Sequence, residues 1–419
     1  MNRYIFLTAD IHIMGGMQSY VAAKVDYLKK KNWKVNVFFP GNNSNTKTFY
    51  NELGDYKEGG IWHLKFPPMM FSKRVINKVI QKIIKLSNIT DEKTIIIESQ
   101  NDTYAMWGEL IAEQVEGKNL CLLCNEQFQG DGKYYNACLD FFWYKLKRKE
   151  LFVIMEESLT LLFGKKANEL RTRDYVFIAA NEIRVIDGAC VELDRIAQDK
   201  ITICYFGRKD KGYLPYVCKE VVEYATKRQT RKFRFLIVGD GADSKTSHIL
   251  KKAPDNLEII EFGGFSPIPK KLFELSDVMI ASSGCAYIAS GQEKLVIVPD
   301  TETGKALGVF GYDMSSTIYN NQTFEYSTLL DEILFGDKYK CKPLYKLQRT
   351  STNKTFDLHM EYIHSMVYKN EYFNFKNVKI NKTKKTKIQL LILKLFGNNG
   401  YGNIVHIINR LMDQLDKNI

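Results

Sequence analysis

Short apolar runs, each followed by a glycine-containing loop and a helical pattern, recur along the chain and constrain its fold more than any other feature. The first unit contains an apolar run at 4–8, two glycines at 15–16, a helical pattern over 18–31 and a second apolar run at 34–39. A helix that returns the chain in the same direction between two strands makes those strands parallel. The sequence therefore predicts a doubly wound α/β fold.

The alternation forms two series that are separated by a charge-rich segment over 192–200. A chain of 419 residues is too long for one ordinary core. We predict two Rossmann-like domains that face each other across a cleft, at 1–195 and 196–375, followed by a basic linker and C-terminal helices at 376–419 that pack back on the core. The further predicted strands are 94–98, 119–124, 175–179, 201–206, 233–238, 257–261, 277–281 and 295–298, and the further predicted helices are 73–86, 102–116, 213–228 and 268–276.

Charge and cysteine content limit the partners. The net charge of +12 and the pI of 9.0 favour anionic partners, such as nucleotide or lipid phosphates. We expect no nucleic-acid partner, because basic and aromatic residues do not alternate in a recognisable motif. Cys121 and Cys124 are three residues apart on a predicted strand, so their thiols point to opposite faces. We predict reduced structural thiols and no metal site.

Targeting signals are not apparent. The apolar stretch at 4–7 lacks the length and cleavage site of a signal peptide, and no uncharged apolar run reaches the length of a membrane span. We therefore expect a cytoplasmic protein.

Ligands of open α/β sheets bind beyond the carboxyl ends of the strands, so the loops that follow strands are the candidate sites. Glycines there let a backbone approach a ligand, arginine and lysine bring positive charge to a pyrophosphate, and serines at a helix N-terminus offer donors to phosphate. Plain turns and a solvated basic loop are the alternatives. The candidate residues in four such loops are Gly15, Gly16, Gly207, Arg208, Lys211, Gly239, Gly241, Ser282, Ser283 and Gly284.

The order of these segments resembles family 4 glycosyltransferases over about residues 4–315. The matching segments are Gly15-Gly16 before a helix, Phe206-Gly-Arg with a following Lys-Gly, Val238-Gly-Asp-Gly, Phe262-Gly-Gly-Phe, and Leu275-Ser-Asp-Val before a serine loop. The resemblance implies a GT-B enzyme that transfers a sugar, with retention, from a nucleotide-sugar donor to a saccharide or lipid-linked acceptor. It implies no cofactor and no metal.

The resemblance also implies roles for individual residues. Arg208 and Lys211 would hold the diphosphate, so that fixed cations and helix N-termini stabilise the leaving group in place of a metal. The interval between them is shorter than expected, so Lys209 is an alternative. Gly16 would lie near the donor phosphates or the acceptor. His12 is a candidate for contact with the transferred sugar, unless it is structural.

Two further carboxylates are candidates. Glu126 follows the predicted strand 119–124 and would orient an acceptor hydroxyl or act as its base, or else cap a helix. The family usually carries two glutamates after the serine loop, and this chain lacks that pair. Glu293 is the only carboxylate left there and is a candidate donor contact, or it simply faces solvent.

The stretch after the next predicted strand is similar to a divergent branch of bacterial surface-polysaccharide glycosyltransferases. It contains Thr301 and Thr303 as donors and Gly304 as a turn residue. We therefore expect a role in the synthesis of capsule, O-antigen or exopolysaccharide. A nucleotide-sugar 2-epimerase and a non-catalytic nucleotide- or carbohydrate-binding protein remain as alternatives.

Two segments raise the question of a membrane. Residues 67–86 include a basic amphipathic helix that suits peripheral contact with an anionic membrane, or that covers the sheet as an ordinary core helix. A lysine-rich segment at 376–387 precedes an apolar one at 388–396. There we favour a solvated linker that leads into a packed helix over a membrane contact.

Overall fold

The computed structural model describes residues 2–13, 15–41, 48–90, 92–123, 136–153, 156–169, 185–241, 244–345, 352–365 and 371–415. The chain divides into two compact units. Unit 1 contains residues 1–182 and 350–419, and unit 2 contains residues 183–349.

The elements of both units alternate between strands and helices. The strands are β1 Asn2–Leu7, β2 Lys34–Phe38, β3 Thr94–Ser99, β4 Lys118–Leu123, β5 Leu151–Val153, β6 Val185–Ile186, β7 Ile201–Phe206, β8 Phe233–Val238, β9 Leu257–Phe262, β10 Ile268–Pro269, β11 Val278–Ile280, β12 Val296–Pro299 and β13 Ala306–Val309. The helices are α1 Gly16–Lys30, α2 Lys73–Ser87, α3 Asp102–Val115, α4 Leu139–Lys147, α5 Glu156–Phe163, α6 Val191–Asp194, α7 Leu214–Thr226, α8 Ser244–Leu250, α9 Lys270–Leu275, α10 Ser283–Gly291, α11 Tyr326–Leu334, α12 Thr352–Ser365 and α13 Lys384–Leu415. Short 3-10 turns occupy Asn51–Gly59, Trp62–Lys65, Pro68–Met70, Asn136–Cys138, Gly164–Glu169 and Phe375–Asn377.

The sheet of unit 1 has the order β2-β1-β3-β4-β5, and every pair in it is parallel. The strands form because successive side chains point to opposite faces and both faces are covered. Tyr4 and Phe6 pack on one face with α1, while Ile5 and Leu7 pack on the other with residues of α2 and α3. Asn101 begins α3 by accepting a hydrogen bond from the Tyr104 N–H at 2.8 Å.

The sheet of unit 2 has the order β13-β12-β11-β7-β8-β9. Only the pair β12–β13 is antiparallel; the other pairs are parallel. Ile203 and Tyr205 of β7 pack on one face, and Cys204 and Phe206 pack on the other. Two doubly wound α/β sheets are thus present, as the sequence predicts. The short antiparallel strand β13 and the short strand β5 were not predicted, and the predicted strand 175–179 lies outside the described residues.

The division into units differs from the predicted boundaries at 195/196 and 375/376. Helix α12, which we assigned to the second domain, packs on α1 of unit 1 instead. The Tyr27 hydroxyl donates to Asp357 Oδ1 at 2.6 Å, and the rings of Tyr27 and Phe356 lie 5.3 Å apart. The apolar face of α12, with Phe356, Met360 and Ile363, joins the core beside α1. Burial of that face draws the chain back to unit 1 before residue 376.

Helix α2 is a core helix, which is one of the two interpretations of the segment 67–86. Val79, Ile80 and Ile83 are at most 5% exposed and pack with residues of β1 and β3. These apolar side chains are therefore part of the core, and the exposed residues of α2 are mostly charged or polar. Among the described residues, no helix combines the length and the apolar character needed to cross a bilayer.

Candidate functional site

The connections of unit 2 place a topological switch point between β7 and β11. These parallel strands are neighbours, but the chain leaves β7 toward β8 on one side and leaves β11 toward β12 on the other. A crevice opens where connections diverge in this way, at the carboxyl ends of the strands, and ligands of doubly wound sheets bind there. The loops after β7 and β11 are therefore the first place to look for a site.

The loop after β7 is held in place by backbone contacts. The Gly207 N–H donates to the Val238 carbonyl at 3.0 Å, and the Tyr205 hydroxyl donates to the Arg208 carbonyl at 2.8 Å. Burial raises the pKa of Tyr205, which keeps the phenol protonated as a donor. The Arg208 side chain is 37% exposed, and its Nε lies 3.2 Å from Asp210 Oδ1. The backbone is thus fixed, while the guanidinium reaches solvent at the switch point.

The glycines after β8 are needed for close packing between loops. Gly239 has φ +152°, and a Cβ there would lie 1.8 Å from the Gly207 carbonyl oxygen. Gly241 has φ +99°, and a Cβ there would lie 2.9 Å from the Asp210 nitrogen. The Lys209 N–H also donates to the Asp240 carbonyl at 2.7 Å. Gly239 and Gly241 therefore support the loop that carries Arg208 from behind.

The serine loop joins the β7 loop directly. Ser282 is the N-cap residue of α10, and its hydroxyl lies 2.8 Å from the hydroxyl of buried Tyr213, the N-cap residue of α7. Helix α10 directs its N-terminal N–H groups, including that of Gly284, toward this edge of the sheet. The N–H of Ser283 is used by the Thr317 carbonyl at 3.1 Å. One hydrogen bond thus ties together the two loops that flank the switch point.

Ser283 is the least ordinary residue of the site. Its φ is +53°, a left-handed conformation that a non-glycine residue adopts at a cost of about 1–3 kcal/mol. Its hydroxyl oxygen is buried and has no hydrogen-bond partner among the residues that the structure describes. Buried hydroxyls are nearly always hydrogen-bonded, so an orphan calls for an explanation. Strain and an open donor coincide at the N-terminus of α10, where an anion would be stabilised.

The two lysines beside Arg208 differ in surroundings. Lys209 Nζ lies 3.4 Å from Glu261 Oε2 on β9, so its charge is partly engaged by that carboxylate. Lys211 belongs to the same loop, and its carbonyl accepts a hydrogen bond from the Leu214 N–H at 3.0 Å as α7 begins. Arg208 and Lys211 therefore lie on one short loop, as the sequence indicates.

Glu293 is not placed with the other predicted residues. It follows the carboxyl end of α10, whereas Ser282 to Gly284 lie at the amino end. A helix of nine residues is about 13 Å long. Glu293 has φ +60° and leads into the amino end of β12, at the opposite edge of the sheet. The predicted contact between Glu293 and the donor does not agree with this placement.

The hairpin between β12 and β13 contains the predicted turn. Gly304 has φ +76° and packs against Tyr216. A side chain does not fit there, because a Cβ on Gly304 would lie 2.7 Å from the Cβ of Tyr216. Asp300 Oδ1 accepts hydrogen bonds from the Thr303 N–H at 2.6 Å and the Thr303 hydroxyl at 2.8 Å. Thr303 therefore stabilises its own turn, and Thr301 lies on the same loop.

Unit 1 has its own switch point between β1 and β3, and His12 lies in the loop after β1. The His12 Nδ1 is 2.7 Å from Asp10 Oδ1, and its ring meets Phe39 edge-on at 5.4 Å. A carboxylate on one ring nitrogen fixes the orientation of an imidazole. Apart from its chain neighbours and the backbone of its own helix, no described atom lies within 4 Å of the place that a Cβ of Gly16 would take. A Cβ at Gly15 would meet Gln18 Oε1 at 2.4 Å.

Two of the residues singled out from the sequence, Glu126 and Cys124, lie outside the described residues. Cys121 is buried and unpaired with another cysteine, and burial raises the pKa of its thiol, as expected of a structural cysteine. Within the described ranges, no group of three or more His, Cys, Asp or Glu side chains is positioned to hold a metal ion.

Several solved structures match this chain over most of its length. A glycosyltransferase from Rickettsia africae ESF-5 matches with a TM-score of 0.53 and 17% identity, covering 87% of this chain and 94% of its own. The S. aureus MnaA structure with UDP matches with a TM-score of 0.50 and 13% identity, covering 89% and 100%. The fold is GT-B. A structure described as trehalose-6-phosphate from E. coli bound with UDP-2-fluoro glucose has a TM-score of 0.50 and 14% identity, covering 88% and 96%.

Identities this low establish the fold alone. No family model matches the sequence, and no curated protein matches it significantly.

Sequence reasoning missed several residues that hold the site together. Tyr213 and Asp240 join segments that are distant in sequence, and Asp240 Oδ1 accepts from the Gly264 N–H at 2.8 Å. Within the loop after β1, Gln18 Nε2 donates to the Asp10 carbonyl at 2.8 Å. The only advance signal was the position of Asp240 between two glycines. The resulting arrangement offers a cation, a helix N-terminus and an open hydroxyl to a negatively charged group.

Proposed function

We propose that unit 2 binds the diphosphate of a nucleotide sugar at the loops after β7 and β11, and that the chain is a glycosyltransferase. One observation carries this proposal. The buried, unpartnered hydroxyl of Ser283 lies at the N-terminus of α10, and the Ser282–Tyr213 contact links that helix to the loop that bears Arg208. A diphosphate oxygen would satisfy the orphan hydroxyl and would be stabilised by the helix dipole and the guanidinium.

The same groups account for the chemistry. As the bond between the sugar and the nucleotide breaks, negative charge grows on the departing diphosphate. Donors that are already in position stabilise that charge at little reorganisation cost. We therefore propose a transfer that needs no metal, with Arg208 and Lys211 as the cations and Ser283 and the Gly284 N–H as neutral donors. The resemblance to family 4 glycosyltransferases supports retention of configuration.

We assign the acceptor to unit 1. Asp10 orients the His12 ring in the loop after β1, and the space beside Gly16 admits a ligand close to the backbone. His12 would hold a sugar hydroxyl, and Glu126 remains the proposed base or orienting carboxylate for the acceptor. The acceptor is proposed to be a saccharide or lipid-linked saccharide of a bacterial surface polysaccharide, on the strength of the resemblance in the segment that contains Thr301, Thr303 and Gly304. We propose a cytoplasmic site of action.

The nucleotide is proposed to be uridine diphosphate, because two of the proteins with the same fold were solved with a uridine nucleotide. Calorimetric titration of the full chain with UDP tests the site. Arg208→Ala should weaken binding about 10- to 100-fold, the range for losing a charge-assisted hydrogen bond of about 1.5–3 kcal/mol.

A matched control removes the same charge at the other edge of the sheet. Arg231 is exposed in the turn that precedes the amino end of β8, so Arg231→Ala should leave the affinity for UDP unchanged. Glu293→Gln should also leave it unchanged, given the position of Glu293. Equal losses in Arg208→Ala and Arg231→Ala would mean that only net charge attracts the nucleotide, and the proposed phosphate site would be abandoned.

Turnover separates the enzyme from the other interpretations. The chain is incubated with a panel of nucleotide sugars without an acceptor, and the released nucleotide and the recovered sugar are analysed. Slow release of nucleotide with hydrolysed sugar supports a transferase. Interconversion of the sugar at C2 would identify an epimerase, and tight binding with no change in the donor would identify a non-catalytic binding protein.

A further inference from the structure

The first turns of α13 carry an apolar row that faces solvent. Ile388, Leu391, Leu395 and Phe396 are 57%, 55%, 66% and 54% exposed. The spacings of three and four residues put Ile388, Leu391 and Leu395 on one side of an α-helix, and Phe396 adds to the exposed apolar surface at its end. Isolated exposed apolar residues are ordinary on protein surfaces, but a row of three large ones with a fourth beside it marks an interaction site. We call residues 384–396 the α13 ridge.

The side of the helix next to the exposed row is fixed to unit 1. Ile392 and Leu393 are buried and pack with Phe66, Met70 and Tyr401. The helix therefore cannot rotate to bury its outer row without exposing the inner one. The fold holds the exposed row outward as a permanent feature of this surface.

Positive charge surrounds the row. Lys384, Lys385, Lys387 and Lys394 are exposed on the same turns, and the sequence from 376 to 412 contains no Asp or Glu. The patch extends to the segment beneath it: Lys382 Nζ donates to the Met70 carbonyl at 3.0 Å, and burial together with the nearby charge of Lys385 lowers the pKa of Lys65. An apolar row bordered by lysines on a helix has the chemistry of an interfacial membrane helix.

We propose that the α13 ridge docks on the surface of an anionic lipid bilayer. The apolar row would enter the boundary between headgroups and acyl chains, while the lysines meet anionic headgroups. A second copy of this chain is a poorer occupant, because a two-fold contact through the row would bring lysines of both copies together at a cost in repulsion.

This assignment differs from a contact through 67–86. In that segment Val79, Ile80 and Ile83 of α2 are buried in the core, and the exposed residues are mostly charged or polar. The α13 ridge has both charge and exposed apolar area. Docking through it does not depend on the proposed donor chemistry, and a vesicle assay without nucleotide tests it separately.

Cosedimentation of the full chain with vesicles is the direct test. Vesicles of phosphatidylglycerol should bind the chain at least tenfold more tightly than vesicles of phosphatidylcholine, because each basic residue near an anionic surface contributes about 1 kcal/mol. Two ridge variants, Leu391→Ser/Leu395→Ser and Lys384→Glu/Lys385→Glu/Lys387→Glu, should each weaken binding at least tenfold. Lys73→Glu/Lys78→Glu/Lys85→Glu, a charge-matched change on the exposed face of α2, should change it less than threefold.

A fluorescent variant gives a second readout that does not depend on loss of binding. Leu395→Trp introduces an indole into the exposed row, and its emission should shift to shorter wavelength when phosphatidylglycerol vesicles are added, but not with phosphatidylcholine. The proposal is overturned if the ridge variants bind like the unaltered chain, if the α2 variant loses as much binding as they do, or if the indole emission does not shift. It is equally overturned if Leu391→Ser/Leu395→Ser turns a dimer into a monomer without altering vesicle binding.

Discussion

The two switch points of the molecule treat buried polar groups in opposite ways. In unit 1, the Thr8 hydroxyl donates to Gln100 Oε1 at 2.5 Å, and Gln100 Nε2 donates to Glu98 Oε1 at 3.3 Å. Glu98 Oε2 accepts from Lys24 Nζ at 2.5 Å and from the Tyr4 hydroxyl at 2.6 Å. All five side chains are buried. This network satisfies its members from within the protein.

In unit 2, the corresponding place holds the orphan hydroxyl of Ser283, the N-terminus of α10 and the exposed guanidinium of Arg208. Hydrogen-bonding capacity that the protein uses internally stabilises the fold, and capacity left open is available to a ligand. Under the proposed function, the buried side chains at the switch point stabilise the fold in unit 1, whereas those in unit 2 are open to the diphosphate. Each of the following predictions sharpens or breaks that contrast.

The largest effect is expected from Lys24→Met. Lys24 and Glu98 are both 0% exposed, so the variant leaves a carboxylate buried without its cation. Loss of one partner of such a pair costs about 3–5 kcal/mol. Urea unfolding, followed by the fluorescence of unit 1 tryptophans, should show this loss of stability, while affinity for UDP in unit 2 should not change in the folded protein.

The exposed pair on the same helix provides the control. Lys30 and Asp26 lie 2.7 Å apart at i and i+4 with most of the lysine in solvent, so Lys30→Met should cost less than about 0.5 kcal/mol. Similar small losses of stability in both variants would mean that the buried network does not stabilise unit 1. The contrast between the two switch points would then not hold.

A second effect concerns the amino edge of the unit 1 sheet, where Arg3 Nε donates to Glu92 Oε1 at 3.0 Å. Burial alone would raise the pKa of Glu92, but hydrogen bonds from Arg3 and from the Thr90 backbone lower it from 4.5 to about 2. A folded-state pKa below the unfolded value gives stability that is present above pH 4.5 and is lost as the pH falls toward 2.

The test measures urea midpoints between pH 2.5 and 6. Glu92→Gln should lower stability by about 2 kcal/mol at pH 6, the order of a charged hydrogen bond, and should flatten the decline toward acid. Glu113→Gln, which changes an exposed carboxylate on α3, should leave the decline unchanged. A steep decline that persists in Glu92→Gln would assign the acid sensitivity to other groups.

The two adjacent serines divide binding from stability. Ser282→Ala removes the hydroxyl that contacts Tyr213 and should cost about 1 kcal/mol of stability, because a buried hydrogen bond is lost. Ser283→Ala removes a hydroxyl that has no protein partner, so stability should stay equal or rise, while affinity for UDP falls about three- to tenfold. Thermal unfolding and calorimetry measure the two quantities. Loss of stability in Ser283→Ala without loss of affinity would contradict the proposed role.

Much of this fold could be predicted because the apolar pattern of its strands is strong. Strands β7 and β8 fall at 201–206 and 233–238, the ranges expected from the sequence. The loops that follow them, with Gly207 and Gly239, could then be placed at one edge by topology alone. Helix α12 could not be placed, since its position depends on a distant contact between Phe356 and Tyr27 that no local pattern encodes.

The details of the site depend on geometry that the sequence does not carry. The positive φ of Ser283 and the isolation of its hydroxyl follow from how α10 meets the Thr317 segment. Glu293 was within reach of sequence reasoning: a helix that begins at the serine loop and continues through 291 carries the next residues to the far edge of the sheet. The resemblance to family 4 glycosyltransferases suggested a donor contact for Glu293, and the length of the preceding helix was not taken into account.

The smallest expected effect tests whether Asp210 already engages the Arg208 guanidinium at the switch point of unit 2. Asp210 Oδ1 lies 3.2 Å from Arg208 Nε, and both side chains are partly exposed, so their attraction is worth at most about 1 kcal/mol. The carboxylate competes with a diphosphate for the guanidinium, and Asp210→Asn should therefore raise affinity for UDP about two- to fivefold, with the gain shrinking at high salt. Asp337→Asn makes the same charge change at the exposed Lys340 pair and should have no effect. Weaker binding by Asp210→Asn would show instead that Asp210 holds Arg208 in its binding position, and the switch point of unit 2 would then be organised internally, as that of unit 1 is.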